Sequence, residues 1–308
     1  MIVLLSMILF IFLLLFPRES LEASKYGLIL WFDTLLPTLL PFLIVSQLVL
    51  KTSAVHTIEH LFGPIFQKIF HCSSKGVFCL ICGFLCGYPV GARLISLEVK
   101  AQNISLSEGQ YLLSFCNNVS PVFCISYGIL YGIGTINILP YMLMIYGSAF
   151  LFGFLTRPQK FSYDEYQIKK QTSTVENIFQ LIDVCMIDSF LIMIKLCGYL
   201  ILFSLFSNII LLFIPNNTYV TAIVTATLEL TGGLSKIQML PKGVFRSILA
   251  LCALVFGGFC CIFQTNSVIY DTSLSLKKYI LHKIAVTLIA LFFFCLWLLF
   301  CFFINRRC

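Results

Sequence analysis

An apolar segment of this sequence breaks where a membrane helix would be expected to continue. The run Gly76–Leu85 is wholly apolar, and the next residues include two glycines and a proline within Gly87–Gly91. Proline removes a backbone donor and glycine permits non-helical angles, so a regular helix is not expected through this stretch. Broken backbone at membrane depth is tolerated only where protein or a water-filled cavity satisfies its polar groups. A second break follows at Asn117-Asn118, so the sequence predicts a membrane protein built around interrupted helices.

The composition agrees with a membrane location. Of the 308 residues, 59% are hydrophobic and 11% are charged, and the mean hydropathy is +0.99. Soluble domains carry about 25% charged residues, so we predict an all-α polytopic membrane protein with about eight or nine transmembrane helices, some interrupted or re-entrant. The net charge of +7 then relates to membrane orientation and anionic lipid headgroups. Nucleic acid is not an expected partner, because no basic cluster is interleaved with aromatic residues.

The chain divides into four regions. Residues 1–25 form an N-terminal span and short loop, 26–156 a first half, 157–182 a polar cytoplasmic loop, and 183–308 a second half. Each half contains a helix that ends in a polar, glycine-containing element and then a helix that is interrupted. Paired interruptions at corresponding positions are typical of inverted-repeat transporters with a binding site at the membrane midplane. The sequence therefore predicts an internal two-fold, inverted repeat.

The distribution of lysine and arginine predicts the orientation. These residues are more frequent in the loops 18–25, 93–108, 157–182 and 236–246 and in the C-terminal tail than in the remaining loops, where Lys277, Lys278 and Lys283 are placed. Such a bias marks the cytoplasmic side. We therefore expect a multi-pass membrane protein with a cytoplasmic C-terminus.

Two charged residues in apolar segments require an explanation. A charge at the centre of a membrane helix costs at least about 2.5–3.5 kcal/mol on insertion scales, and Lys195 and Glu229 both lie in such segments. One explanation is a structural ion pair, between these two residues or with Asp188. The other is a role in binding substrate or a proton. The sequence leaves both open.

The four breaks supply the candidate substrate-binding residues. Asn117 and Asn118 place amide donors and acceptors together, which suits either a polar ligand or hydrogen bonds between helices. Free helix ends at the glycine-containing breaks expose backbone groups that bind ions or polar ligands. The predicted substrate-binding set is Gly87, Tyr88, Pro89, Gly91, Asn117, Asn118, Ser120, Glu229, Thr231, Gly232, Gly257 and Gln264.

No catalytic, metal or cofactor motif is apparent. The sequence lacks HExxH, GxSxG and a glycine-rich phosphate loop, so an enzyme and a cofactor are not expected. Cys79, Cys82 and Cys86 have a metal-like spacing, but the residues between them are apolar and free cysteine behaves as a small hydrophobe. His56 and His60 lie in the segment 55–70, whose periodicity predicts an amphipathic helix at the membrane surface and favours solvated histidines over a metal site.

Several of these segments resemble motifs of the YlbJ family of sporulation integral membrane proteins, which carry the nucleoside-recognition Gate domain. The resemblance is carried by Cys86–Arg93, Leu112–Pro121, Leu228–Gly233, Phe256–Gln264, Leu35–Phe42 and Lys195–Tyr199. One departure is Cys260–Phe263, where the family usually has a serine and a histidine before the glutamine. A role for that histidine therefore does not transfer to this chain.

The resemblance implies an inner-membrane protein needed for formation of the spore cortex, and the Gate domain implies a relation to nucleoside transporters. The expected function is a transporter or channel-like protein for a small polar solute. Membrane lipids are the expected partners, and homo-oligomerisation is left open. The alternative is a non-transporting scaffold that recruits spore-envelope proteins through residues 157–183 or 55–70.

Overall fold

A computed structural model describes residues 2–52, 54–158, 178–214 and 217–305. All regular secondary structure in these ranges is helical, which confirms the all-α prediction. The α-helices are α1 Ile2–Leu15, α2 Pro17–Leu30, α3 Leu36–Lys51, α4 Ala54–Phe70, α5 Ser74–Cys86, α6 Val90–Lys100, α7 Leu106–Cys116, α8 Pro121–Phe123, α9 Ile138–Leu155, α10 Ile178–Leu212, α11 Thr218–Leu228, α12 Leu230–Gln238, α13 Val244–Phe256, α14 Gly258–Ile269 and α15 Leu276–Asn305. Two π-helical segments, Trp31–Leu35 and Cys124–Ile133, continue α2 into α3 and extend α8.

The polytopic membrane fold is confirmed, with fewer crossings than predicted. In the described ranges six segments are long and apolar enough to span a membrane: Pro17–Val49, Leu106–Ile133, Ile138–Leu155, Ile178–Leu212, Val244–Ile269 and Leu276–Phe303. A seventh is obtained if α4 and α5, which meet at 93°, are counted as one bent span. The predicted first span is the short helix α1, and the predicted boundary at residue 25 falls inside α2. The predicted loop 157–182 lies largely outside the described residues.

The count is lower because two apolar segments turn back instead of crossing. In the first, Gly83 of α5 and Gly91 of α6 are in direct contact, and a Cβ on Gly91 would lie 2.8 Å from the Gly83 Cα. In the second, Gly233 of α12 packs in the same way on the backbone of Ala226 in α11. Small residues permit this close approach of helix backbones in a membrane. The pairs α5–α6 and α11–α12 are therefore re-entrant hairpins.

The two broken spans run in opposite directions. Gln110 near the start of α7 accepts a hydrogen bond from the Ser275 N–H, just beyond α14, at 2.6 Å. At the other end, the Arg246 Nε at the start of α13 donates to the Gly132 carbonyl at 2.9 Å. The segment α7–α8 with its π-helical extension is thus antiparallel to α13–α14. Both follow a re-entrant hairpin, so the halves have the inverted arrangement that the sequence predicted.

The remaining equivalent helices are antiparallel as well. Along the contact between α2–α3 and α10, Trp31 Nε1 donates to the Met193 carbonyl at 2.8 Å, and Lys51 Nζ lies 3.5 Å from Asp188 Oδ2. Helices α9 and α15 pack with Phe152 beside His282 near one end. Each half therefore contributes a span, a hairpin, a broken span and a final span.

The predicted grouping of loops is corrected by the contacts between them. Lys100 forms an ion pair with Asp271, and Arg157 Nη1 donates to the Ile69 carbonyl at 2.9 Å. Both contacts join loops that the charge distribution placed on opposite sides, because a re-entrant hairpin returns the chain to the side it entered. We call the face with Lys100 and Asp271 the α6 face and the opposite face, which holds Lys236 at the end of α12, the α12 face. Which of them is cytoplasmic stays a prediction.

Candidate functional site

The first break forms the tip of the α5–α6 hairpin. Helix α5 ends at Cys86, the Tyr88–Pro89 peptide is cis, and α6 begins at Val90. Gly87 has a φ of +82°, and a Cβ there would lie 2.6 Å from the Ser120 nitrogen. Only glycine fits this position without strain, because other residues disfavour both the angle and the contact. The tip of the first hairpin therefore packs directly on the second break.

The second break carries the two asparagines, and both make hydrogen bonds between or within helices. Asn117 is fully buried, and its Nδ2 donates to Thr265 Oγ1 at 3.0 Å and to the Tyr279 hydroxyl at 3.1 Å. Asn118 Nδ2 donates to the Phe115 carbonyl at 2.6 Å. These contacts hold the end of α7 and link it to α14 and α15. In this conformation the asparagines join helices and do not line the central cavity described below.

The third break places Glu229 at the start of α12. Its backbone is extended, with φ −144° and ψ 128°, and its carboxylate accepts hydrogen bonds from the N–H groups of Thr231 at 2.7 Å and Gly232 at 2.5 Å. An acidic side chain at this position caps the helix and interacts favourably with its dipole. The predicted pair between Lys195 and Glu229 is not formed. The carboxylate turns onto its own helix, and Lys195 lines a different cavity beside Asp188.

The fourth break contains two consecutive left-handed residues. Gly257 has a φ of +88° and Gly258 a φ of +74°, which ends α13 and starts α14. A Cβ on Gly258 would lie 3.1–3.3 Å from the last carbonyls of α11, and one on Gly257 would lie 3.1 Å from the Tyr88 hydroxyl. The fourth break therefore contacts the first and the third. Nearby in α14, Gln264 Nε2 donates to Cys260 Sγ at 3.1 Å.

A small cavity lies where the four breaks meet. Five of the predicted site residues supply its polar lining: Tyr88, Ser120, Glu229, Thr231 and Gln264. Apolar residues, among them Leu35, Val119 and Phe123, form the rest of its wall. Its volume of about 40 Å³ holds roughly three water molecules at about 10–15 Å³ each. We call it the central cavity.

The other predicted residues surround this cavity or lie beyond it. Gly87, Gly91 and Gly257 shape the backbone of the breaks, and Asn117 and Asn118 join the helices behind them. Pro89 and Gly232 line the two neighbouring cavities. The structure thus brings the predicted set together in space, while a role in binding substrate stays a prediction.

Two further cavities adjoin the central one from opposite faces. On the α12 side a cavity of about 200 Å³ is lined by Glu22, Tyr26, Asn208 and Lys236 and shares Glu229 with the central cavity. On the α6 side a cavity of about 110 Å³ is lined by Pro89, Arg93, Asp188, Lys195 and Ser267. We call them the Glu22 cavity and the Arg93 cavity. Glu229 stands between the central and Glu22 cavities, and Tyr88-Pro89 stands between the central and Arg93 cavities.

Lys283 of α15 is a site residue that the sequence reasoning missed. It was assigned to a loop, but its side chain is 1% exposed. Its Nζ donates to Asn118 Oδ1 at 2.9 Å and to the Val255 carbonyl at 3.2 Å, and lies 4.8 Å from the centre of the Tyr88 ring. No carboxylate of the described residues lies within 4 Å of it. The ammonium thus joins the second break, the end of α13 and the tip of the first hairpin.

A sequence signal for Lys283 existed. It follows the first residue of α15 by seven positions, which is about 10 Å along a helix axis at 1.5 Å per residue. Its neighbours Ile280, Leu281 and Ile284 are apolar. A lysine at that depth is expected to face the protein interior, because lipid-facing charges are costly.

Within the described residues, no group of three or more His, Cys, Asp or Glu side chains is arranged to hold a metal ion. Cys79, Cys82 and Cys86 are buried free thiols on α5. Their side chains contribute to the apolar core around the first hairpin.

Comparison with known proteins gives one partial similarity. Over 107 residues, 35% of this chain, the sequence is 37% identical to the sporulation integral membrane protein YlbJ of Bacillus subtilis (strain 168). The match covers 26% of that protein, so the chain spans about a quarter of the length of the curated relative it matches. No family model and no solved structure matches the chain. The match supports a YlbJ-like integral membrane protein over about a third of the chain.

Proposed function

We propose that this protein acts in sporulation as a multi-pass protein of the cytoplasmic membrane and moves a small polar solute through the central cavity. The sporulation role rests on the partial similarity to YlbJ. The transport role rests on the arrangement of the breaks. The proposal includes no catalytic step and no cofactor, with lipids as surrounding partners, a cytoplasmic C-terminus, and homo-oligomerisation as an open property.

The observation that carries the transport proposal is that three cavities are neighbours in the protein. Polar side chains from all four breaks line the central cavity, and cavities from both faces end against it at Glu229 and at Tyr88-Pro89. Interrupted helices of opposite orientation that meet at mid-membrane are the arrangement used for alternating access. The central cavity of about 40 Å³ is smaller than a polar solute such as a nucleoside, so the proposal takes this conformation as a closed state of the cycle.

The lining favours a solute that carries both polar groups and apolar surface. Glu229 and Gln264 supply charged and amide groups, while Leu35, Val119 and Phe123 supply apolar surface. Nucleosides have this character, which agrees with the relation to Gate-domain proteins that the motifs imply. A volume of about 40 Å³ requires the hairpins to separate before a nucleoside can enter.

Uptake into liposomes tests the proposal. The purified protein would be reconstituted and offered radiolabelled nucleosides, sugars and amino acids, with empty liposomes as background. Gln264→Met removes a polar group from the central cavity at nearly constant volume, and we expect it to reduce uptake at least tenfold. The control is Gln47→Met, because Gln47 is also buried but hydrogen bonds to Ser189 at 3.2 Å, away from the cavities.

Two results would contradict transport through this cavity. One is the absence of uptake of any tested solute by folded wild-type protein. The other is unchanged uptake by Gln264→Met. If spores form normally with Gln264→Met but fail when residues 159–177 are deleted, the scaffold alternative accounts for the function.

A further inference from the structure

The Arg93 cavity brings together three charged side chains, of which Lys195 is exposed and Arg93 and Asp188 are partly buried. Arg93 comes from α6, and Lys195 and Asp188 come from α10. Apolar side chains such as Leu191 and Ile192 complete the wall. Residues on separate, well-packed helices therefore direct two cationic side chains and one carboxylate to a cavity of about 110 Å³.

The carboxylates around this cavity already have cationic partners. Asp188 Oδ2 lies 3.5 Å from Lys51 Nζ. Asp271, on the same face, is paired with Lys100. The hydrogen bond from Lys100, and to a smaller extent the charge of Arg93, lowers the pKa of Asp271. Both acidic groups are thus held by lysines that do not line the cavity.

Among the described residues, the two cations of the cavity have no such partners. Across the described part of the chain, no carboxylate lies within 4 Å of the Arg93 guanidinium or the Lys195 ammonium. The Nε of Arg93 is also buried without a hydrogen-bond acceptor. A buried donor without a partner destabilises the folded state, and more so when it is charged. Such a pair of unneutralised cations is the arrangement expected of a site that binds an anion.

We propose that the Arg93 cavity binds a phosphate group between the Arg93 guanidinium and the Lys195 ammonium. Arginine presents a planar fork of N–H donors that matches phosphate oxygens, and lysine adds a point charge. A larger cavity of about 610 Å³ shares Lys195 and Ser267 with this one and reaches Tyr270, which is 72% exposed. The remainder of a phosphate-bearing molecule would occupy that second space.

A phosphate group is present both in an anionic lipid headgroup and in a free or solute-borne phosphate. The experiment distinguishes these two ligands. In neutral detergent, the thermal midpoint would be measured with inorganic phosphate or with chloride at equal ionic strength. A parallel series would use mixed micelles with phosphatidylglycerol or phosphatidylcholine. A ligand that binds only the folded protein raises the midpoint by an amount that grows with the logarithm of its free concentration relative to the dissociation constant. Equilibrium dialysis with labelled phosphate would give the dissociation constant.

We expect phosphate or phosphatidylglycerol to raise the midpoint of the wild type. Arg93→Gln and Lys195→Gln should each weaken binding at least tenfold, since each removes a charged hydrogen-bond donor. Lys277→Gln is the control, because it removes an equal charge from an exposed position that lines none of these cavities. Arg93→Lys keeps the charge without the fork and should bind with intermediate affinity, which preserves the test if Arg93→Gln does not fold.

The outcomes show whether the bound phosphate belongs to a lipid headgroup or to a soluble molecule, and which results overturn the proposal. A response to phosphatidylglycerol alone identifies a lipid headgroup site, and a response to inorganic phosphate identifies a site for a soluble phosphate. No response to either ligand overturns the proposal, as does a response that Arg93→Gln and Lys195→Gln retain in full. Binding is measured without transport, so this result is independent of the uptake test on Gln264.

Discussion

Replacing Lys283 by methionine tests how the protein tolerates a buried ammonium that has no carboxylate partner among the described residues. The substitution removes a buried charge, whose effective desolvation penalty is several kcal/mol. It also removes two hydrogen bonds from a charged group, at about 1.5–3 kcal/mol each, to Asn118 Oδ1 and the Val255 carbonyl. The favourable cation–π contact with the Tyr88 ring adds about 2 kcal/mol when desolvated. These opposing contributions nearly cancel.

The net effect of Lys283→Met should therefore be modest. Asn118 Oδ1 is left without a donor, whereas the Val255 carbonyl still accepts from the Tyr88 hydroxyl at 3.3 Å. One orphaned buried acceptor costs about 1–3 kcal/mol, and this is the destabilisation we expect.

The converse substitution should be more severe. Asn118→Leu leaves the Lys283 ammonium in place and removes one of its two oxygen partners. Breaking a buried charged interaction from one side costs about 3–5 kcal/mol. The double variant, which lacks both the charge and the orphaned acceptor, should be more stable than Asn118→Leu alone.

Equilibrium unfolding by SDS in mixed micelles, followed by circular dichroism, would give the four free energies of this double-mutant cycle. Lys278→Met is the control, because Lys278 lies on the same helix but is exposed, and it should change the free energy of unfolding by less than about 0.5 kcal/mol. Additive effects of the two core substitutions would refute the reasoning, since residues in direct contact should be coupled.

Two further predictions concern the backbone and the α6 face. Gly87→Ala should destabilise the protein by about 1–3 kcal/mol, because the new Cβ would lie 2.6 Å from the Ser120 nitrogen at a φ of +82°. The control is Gly198→Ala, whose Cβ would meet nothing within 4 Å and which should stabilise the protein by about 0.5–1 kcal/mol. Equal effects of the two substitutions in the same unfolding assay would contradict this prediction. Asp271→Asn should cost less than about 1 kcal/mol at neutral pH, as expected for an exposed ion pair. Because Lys100 lowers the pKa of Asp271, the pair contributes above the unfolded pKa and its contribution is lost as the pH falls through the folded pKa. The difference between wild type and Asp271→Asn should therefore disappear under acid conditions and with high salt, and a difference that persists at low pH would contradict the assignment.

The breaks were predictable because their causes are local. Proline and consecutive glycines act on the backbone where they stand, and Gly87 and Gly257 do adopt positive φ values. The capping role of Glu229 is also local, since its partners are the N–H groups two and three residues ahead. Neither explanation that the sequence offered for Glu229, an ion pair or a role in binding substrate or a proton, included this local cap.

The sequence by itself determined that the chain is an all-helical membrane protein with four interrupted helices in two similar halves. Hydropathy and backbone chemistry act over a few residues, so they can be read along the chain. Only the tertiary structure decided whether an apolar segment crosses or turns back, because crossing and re-entrant segments have the same composition. The contacts of Gly83 with Gly91 and of Lys100 with Asp271 settle that question.

The partners of the charged residues were likewise decided by packing. Lys283 joins Asn118, 165 positions away in sequence, and Lys51 joins Asp188 from the other half. No local pattern encodes such distances, since they depend on the antiparallel pairing of the halves. The sequence therefore located the polar residues, and the tertiary structure determined which of them line the central cavity and which hold the helices together. It also determined that no carboxylate of the described residues pairs with Arg93 or Lys195.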